Sequence, residues 1–220
     1  ATLGEDLDGN DIINADKKLV MPGGIEAHCH IAQESANGIM TSDDYETGSI
    51  SAAFGGNSCF VPFAAQKKGE SIAATIAEYD RRAETKSVID YSYHLILTDP
   101  NENVMNELPS AFERGITSFK VFMTYATRVS DAQFLDILTI ARRHGGLTMV
   151  HAENHDMLSW MSNALTQAGY TEPRYHAPAR PSLAEEEAIN RAISLSKLAN
   201  APLMIVLSLI HISEPTRLAW

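Results

Sequence analysis

The feature that most constrains the fold is a regular alternation of strand-like apolar runs with helical segments along most of the 220 residues. Alternation of this kind is typical of parallel strands joined by crossover helices, which places the chain in the α/β class. Capping-box patterns at Ser130 and Ser182 and glycines at 115, 145 and 169 predict where several helices begin and end. The strand-like runs are 19–31, 58–64, 88–97, 116–124, 147–151 and 203–206.

Composition and charge exclude several classes of protein. The formal net charge of −11 and the absence of a basic stripe disfavour a nucleic-acid surface. The longest apolar run, 201–210, is interrupted by Ser208 and is too short to span a bilayer. Residues 1–9 lack the charged and apolar regions of a signal peptide, and two cysteines offer no disulfide framework. We expect a soluble, cytoplasmic protein with no nucleic-acid or membrane partner.

The first candidate site is the His-x-His pair of His28 and His30, which closes the first strand-like run. Side chains two apart on a strand point to the same face, so both imidazoles can reach one metal ion while Cys29 points away. The alternative interpretation is a pair of hydrogen-bonded core histidines. Further ligands are needed to decide between the two.

Two later strand-like runs carry a polar residue that suits the same site. Lys120 lies among apolar residues such as Phe119 and Phe122, so its charge is paired, neutral or chemically modified unless the strand is a solvated edge. His151 ends the apolar run 147–151. In a parallel barrel the carboxyl ends of the strands converge on one face, which would bring these residues to the histidine pair.

This order of His-x-His, strand lysine and strand histidine resembles the dihydropyrimidinase and D-hydantoinase family of the amidohydrolases, over residues 3–206. The resemblance implies a TIM-like (β/α) barrel of the metal-dependent hydrolase type, truncated near its sixth strand and attached to a small β-sandwich. Residues 1–20 would end the sandwich, 21–206 would form the partial barrel, and 207–220 would be a non-native tail. The motifs that carry the resemblance are Val20-Met21-Pro22-Gly23-Gly24-Ile25 before His28-Cys29-His30, Phe119-Lys120-Val121-Phe122-Met123 with Tyr125, and Val150-His151-Ala152-Glu153-Asn154.

The resemblance also implies a site with two divalent metal ions, zinc being the expected one, and no other cofactor. His28 and His30 would bind the more buried ion, and His151 the more exposed one. Lys120, carboxylated to N6-carboxylysine, would bridge both, and Tyr125 would be catalytic by donating a hydrogen bond to the developing oxyanion. A lysine amine made neutral by burial can add carbon dioxide, so this modification is chemically reasonable.

By the same resemblance the activity is hydrolysis of the cyclic amide bond of a dihydropyrimidine or a hydantoin, by an enzyme that is a homotetramer when full length. Allantoinase and dihydroorotase are alternatives, although Ile31-Ala32-Gln33 stands where dihydroorotases place an arginine. A non-catalytic scaffold protein of the same fold is a further alternative. Retention of four ligand-type residues favours the enzyme.

The chain departs from the family pattern near its end. A His-Val-Ser type motif is expected after Val206, but position 207 is leucine, and His211-Ile212-Ser213 follows too late to take over the ligand role. The family's catalytic aspartate has no counterpart. We therefore expect the 220 residues alone to be inactive. Glu153 and Asn154 are expected either to orient His151 or to form a turn. Four further histidines lie in no motif of this kind and are expected to be structural: His94, His144, His155 and His176.

Overall fold

A computed structural model describes residues 11, 13–35, 38–206 and 208, and in these residues strands and helices alternate as predicted. The strands are β1 (Gly24–Cys29), β2 (Asn57–Ala65), β3 (Asp90–Tyr91), β4 (His94–Ile96), β5 (Ser118–Phe122), β6 (Leu147–His151) and β7 (Leu203–Ile205). The α-helices are α1 (Tyr45–Phe54), α2 (Ile72–Ala83), α3 (Glu102–Glu113), α4 (Asp131–Arg143), α5 (His155–Gln167) and α6 (Ser182–Ala199), and a short 3-10 helix spans Pro173–Tyr175.

The strands form one parallel sheet in the order β1-β2-β4-β5-β6-β7, with β3 also beside β2. β3 and β4 are one interrupted strand, because Cys59 pairs with Asp90 and Phe63 pairs with His94 at the same offset. The predicted run 88–97 is therefore divided in the structure. Sequential parallel strands joined by helices confirm the expectation of a partial α/β barrel.

The two faces of the sheet are buried to different extents. The outer face packs against the helices in a large core that includes Leu95, Phe119 and Val150. A second, smaller apolar cluster consists of Phe63, Ile96, Met149 and Val206. Phe119 and Met149 belong to different clusters although they lie on adjacent strands, as alternation of side chains along a strand requires. We call the face with the smaller cluster the inner face.

Most of the helix ends follow the local signals. Ser130 caps α4 in a capping box with Gln133, and Gly115, Gly145 and Gly169 adopt positive φ angles just beyond three helices. The second predicted capping box is wrong. Helix α6 begins at Ser182 itself, after Pro181, whose ring has no side-chain acceptor to cap the helix.

The predicted boundaries of the first strand are also too wide, because residues 19–23 lie in no strand and are exposed. Residues 13–20 form no strand, whereas residues 1–10 and 12 lie outside the described part of the chain. The tail 207–220 lies outside it as well, apart from position 208. The β-sandwich and the non-native tail therefore stay predictions. Within the described residues, no helix is long and apolar enough to cross a membrane.

Candidate metal centre

The histidine pair at the end of β1 packs on an inner-face aromatic ring. The rings of His28 and His30 lie 5.6 Å apart, and each contacts Phe63, at 4.8 Å and 4.6 Å between ring centroids. Both imidazoles are therefore on the same side of the strand, as the spacing of two residues predicts. His28 is half-buried and His30 is exposed.

Lys120 occupies the middle of β5 and is 3% exposed. Its Nζ lies over two aromatic rings, 5.6 Å from the centroid of Phe63 and 5.2 Å from that of Phe122. Burial lowers the pKa of the Lys120 amine from 10.5 to about 8. None of the carboxylates in the described part of the chain forms an ion pair with it. The solvated edge strand considered from the sequence is thus excluded.

His94 completes the group around Phe63. Its Nε2 lies 2.9 Å from the carbonyl oxygen of Ala27, which can only accept, so Nε2 donates and Nδ1 accepts from the Ser118 hydroxyl. Burial lowers the pKa of His94, and the Lys120 charge lowers it further against the opposing effect of the Ala27 hydrogen bond. His94, at the start of β4, therefore links Ala27 of β1 to Ser118 of β5, and both of its ring nitrogens have hydrogen-bond partners.

One nitrogen in the group around Phe63 has no hydrogen-bond partner among the described residues, which is expected of a metal ligand rather than of a histidine that only stabilises the core. Nε2 of His28 is buried without a hydrogen-bond partner in the described part of the chain. Burial lowers the pKa of His28, as does the Lys120 charge, so the ring is held in the neutral form that binds metals. An unpaired buried nitrogen is unfavourable unless something binds it. His28, His30 and a modified Lys120 could therefore hold a metal ion.

His151 and Tyr125 form a second group, one strand further along the sheet. The Phe122 ring contacts both, at 5.7 Å from His151 and 5.9 Å from Tyr125, and it also lies under Lys120. Lys120 is thus the residue shared by the two groups. Counting only His, Cys, Asp and Glu, no set of three among the described residues is arranged to hold a metal ion. A metal site built from these described residues would therefore need a further ligand, and Lys120 is the residue that both groups share.

Tyr125 has an unusual backbone. Its φ of +68° is in the left-handed region that non-glycine residues rarely adopt. Arg128 stabilises this conformation by donating from Nη1 to the Tyr125 carbonyl oxygen at 3.2 Å. The Tyr125 hydroxyl is 3.5 Å from Nε2 of His151, at the outer limit of a hydrogen bond, and it also has a side-chain hydrogen bond with Arg180.

Glu153 and Arg180 extend this second group. Nε2 of His151 donates to Glu153 at 2.6 Å, and Arg180 donates to both carboxylate oxygens of Glu153. Burial alone would raise the pKa of Glu153, but the hydrogen bonds from His151 and Arg180 lower it overall. The orienting role expected for Glu153 agrees with this contact, whereas Asn154 caps α5 and also donates to Glu187.

The sequence analysis missed Arg180, because an arginine in the turn before α6 has no local motif. It also treated His176 as purely structural. In the structure these residues, with Tyr125, His151 and Glu153, line an open cleft of about 270 Å³ at the carboxyl end of β6 and β7. This end of a parallel sheet is where barrel enzymes bind their substrates. The cleft lies beside the second group rather than over the Phe63 group.

Comparison with known proteins shows extensive similarity to one group of enzymes. The chain is 40% identical over 211 residues to a D-hydantoinase of Geobacillus stearothermophilus, a match that covers 94% of this chain and 45% of that protein. It is 41% identical over 196 residues to a D-hydantoinase of Ralstonia pickettii, covering 88% of this chain and 43% of that one. No protein-family model matches the chain.

Solved structures give the same result. A D-hydantoinase structure superposes with a TM-score of 0.84 at 40% identity, covering 89% of this chain and 44% of that one. A dihydropyrimidinase of Brevibacillus agri superposes with a TM-score of 0.83 at 40% identity, covering 90% and 44%. The chain therefore spans a little under half the length of the relatives that it matches. Over that span, its sequence and its fold show that it belongs to the family of D-hydantoinases and dihydropyrimidinases.

Proposed function

We propose that this chain supplies part of a metal-dependent hydrolase that opens the cyclic amide bond of hydantoins or dihydropyrimidines. The observation that carries the proposal is Lys120, a buried amine with a pKa of about 8 between two aromatic rings, beside an unpaired histidine nitrogen. Relatives named D-hydantoinase and dihydropyrimidinase support this choice of substrate. Four ligand-type residues on the inner face favour the enzyme over a scaffold protein.

The proposed ligands bind two divalent metal ions, and zinc is the proposed metal. His28 and His30 would hold the more buried ion and His151 the more exposed one. Lys120, neutral for a substantial fraction of the time at pH 8, would add carbon dioxide and release a proton, and the two oxygens of the resulting carboxylate, which share one negative charge, would be its ligand atoms for both ions. Bound ions would supply Lewis acidity and would make a water molecule nucleophilic near neutral pH.

The remaining steps use side chains of this chain. Attack by water on the ring carbonyl forms a carbon–oxygen bond, and the ring carbon–nitrogen bond then breaks as a proton that came from this water passes to the nitrogen. Tyr125 would donate a hydrogen bond to the oxygen that becomes negative; this role is supported by the position of Tyr125 in the cleft lining, with its hydroxyl 3.5 Å from Nε2 of His151. The cleft would hold the small cyclic substrate.

The proposal for the whole enzyme goes beyond this chain. We propose a cytoplasmic homotetramer of full-length subunits, with residues 1–20 at the end of a β-sandwich, 21–206 in the barrel and 207–220 as a non-native tail. Because Leu207 replaces an expected histidine and the family's aspartate has no counterpart, the 220 residues alone should not hydrolyse hydantoin or dihydrouracil.

Metal analysis of a chimera tests the proposal. Residues 1–206 of this chain would replace the aligned segment of the Geobacillus D-hydantoinase, and zinc per subunit and hydrolysis of hydantoin and dihydrouracil would be measured. We expect two zinc ions and turnover, both lost in Lys120→Ala. Lys67→Ala is the matched control, because Lys67 is exposed and pairs only with Glu34 at the surface. A folded tetramer without metal would support the scaffold alternative instead.

A further inference from the structure

We infer that Arg180 is a positioning residue for this site: through Glu153 it fixes the tautomer of His151, and through its guanidinium face it holds the Tyr125 ring. The inference rests on the proposed function, because it concerns the same two side chains. Arg180 acts on His151 through Glu153, and on Tyr125 through ring packing and a side-chain hydrogen bond.

The first step concerns His151 and Glu153. Their 2.6 Å contact joins Nε2 to a carboxylate oxygen, and an ionised carboxylate only accepts hydrogen bonds. Nε2 must therefore carry the proton. In the neutral ring this leaves the lone pair on Nδ1, so Nδ1 is the nitrogen that can bind a metal ion.

The second step concerns Arg180 and Glu153. Nη1 of Arg180 donates to both carboxylate oxygens, at 2.7 Å and 2.6 Å, and the two side chains are 29% and 16% exposed. A partly buried carboxylate that faced only a neutral imidazole would favour rotation towards solvent. The guanidinium compensates the Glu153 charge in place. Arg180 thereby keeps the acceptor aligned with Nε2 of His151.

The third step concerns Tyr125. The Arg180 guanidinium carbon lies 5.4 Å from the centroid of the Tyr125 ring, within the range of a cation–π contact. Tyr125 needs external support because its left-handed backbone is intrinsically unfavourable for a residue with a Cβ. Arg128 supports the backbone through the carbonyl oxygen, and Arg180 restrains the ring. The two arginines thus hold different parts of the same residue.

The turn that carries Arg180 is itself attached to the loop after β6. The Asn154 backbone N–H donates to the Ala184 carbonyl oxygen at 2.9 Å, and the Asn154 side chain donates to Glu187. The first turn of α6 is therefore joined to the loop after β6 by contacts that do not include Arg180. Removal of the guanidinium should leave these two contacts in place.

The chain contains a matched control for this arrangement. Arg174 also donates to a glutamate, Glu172, and also packs on a tyrosine ring, that of Tyr175, at 5.0 Å. Both charged side chains are exposed, at 71% and 61%. The residue types and contacts are the same as at Arg180, but the position is outside the cleft. Arg174→Gln should therefore leave the site unchanged.

The tautomer can be measured directly by NMR on the full 220-residue chain with ¹⁵N-labelled histidine, without metal and at a pH where the imidazoles are neutral. His151 is assigned by comparison with His151→Gln. We expect a protonated Nε2 and an unprotonated Nδ1 in the unsubstituted chain and in Arg174→Gln. Arg180→Gln should give intermediate shifts for both nitrogens, which report exchange between tautomers. Arg180→Lys should restore the pattern, because it keeps a cation beside Glu153.

Metal retention in the chimera provides the second readout. Arg180→Gln should weaken binding of the more exposed zinc by about 10- to 100-fold, as loss of an outer partner of a ligand typically does, and should keep the more buried one. Arg180→Lys should recover most of the zinc affinity but less of the turnover, since it cannot stack on Tyr125. Far-UV circular dichroism checks folding, and Arg180→Lys keeps the test usable if Arg180→Gln unfolds.

The possible failures are distinguishable. An unchanged Nε2–H pattern in Arg180→Gln, or a protonated Nδ1 in the unsubstituted chain, overturns the role of Arg180 whatever the chimera binds. An equal effect of Arg174→Gln does the same, because it would make the effect non-specific. A chimera that binds no zinc before any substitution overturns the proposed function, while the NMR result still decides whether Arg180 orients His151.

Discussion

The buried amine of Lys120 makes a quantitative prediction about stability and pH. Lys120 is 3% exposed, and the described part of the chain offers it aromatic faces but no carboxylate partner. In the metal-free chain its charged form is therefore disfavoured by folding. Lys120→Met replaces the amine by an apolar side chain of similar length, so it removes the titrating group with little change in packing.

The magnitude follows from the pKa. Folding lowers the pKa of Lys120 from 10.5 to about 8, and each tenfold change in proton affinity is worth about 1.4 kcal/mol, so the charged amine costs about 3 kcal/mol at pH 7. Between pH 8 and 10.5 the unfolded chain binds more protons than the folded chain. The free energy of unfolding therefore rises with pH through this window, and the cost is lost once the unfolded lysine is also neutral.

The assay is urea unfolding at pH 7 and pH 10, with chelator and without carbon dioxide. The unfolding free energy of the unsubstituted chain, taken relative to that of Lys120→Met, should increase by about 2.5 kcal/mol over this interval, given a shift from 10.5 to about 8. Taking the difference between the two chains cancels the pH dependence that comes from titrating groups common to both, such as the tyrosines. The exposed Lys67 is the control, and Lys67→Met should show no such trend. A difference between chains that is the same at both pH values refutes the reasoning.

Three further predictions concern the scaffold and can be checked by the same unfolding assay. Ser130→Ala removes the side-chain acceptor that caps α4 and should cost about 1 kcal/mol, whereas Ser182→Ala should change little because no such cap exists there; equal losses would contradict the difference. Gly146→Ala should destabilise by about 1–3 kcal/mol, since its Cβ would lie 2.7 Å from the Phe112 ring and 2.9 Å from the Thr117 carbonyl oxygen; a neutral result would show that this contact relaxes freely. Phe63→Ala should cost about 3–5 kcal/mol and should alter the ring environment of the histidine pair in NMR spectra, and unchanged histidine signals would contradict the packing on Phe63.

Strands buried on both faces could be predicted most accurately from the sequence. The run 147–151 coincides with β6 at both ends, and Ser118–Phe122 lies within the run 116–124, because a continuous apolar stretch there means burial on either side. The first run was predicted too long for the same reason. Leu19 and Met21 are apolar but 88% and 74% exposed, and apolarity alone does not distinguish an exposed lead-in from a strand.

Those residues of the candidate site that lie on strands or at their ends could be predicted from the sequence. Spacing placed His28 and His30 on one face, and an apolar context singled out Lys120. Pairings between distant segments could not be predicted. His94 takes its orientation from Ser118 and Ala27, and Arg180 from Glu153, and each contact joins residues at least 24 positions apart. A single sequence contains no local pattern that marks such partners.

The inner face links the chemistry of Lys120 to the closure of a barrel. In the described part of the chain the sheet runs from β1 to β7 without joining its ends, and the inner apolar cluster has four buried residues against a much larger outer core. Relatives are more than twice as long as the matched segment. Strands added by that extra length would cover the inner face and remove more water from Lys120, and burial of this kind lowers the pKa of its amine further. Closure would thus disfavour the ammonium form further. A carboxylate formed on the neutral amine would have its charge compensated by the bound cations, so the chain would not have to bury an unpaired charge. Burial of Lys120 and occupation of the site should therefore be coupled.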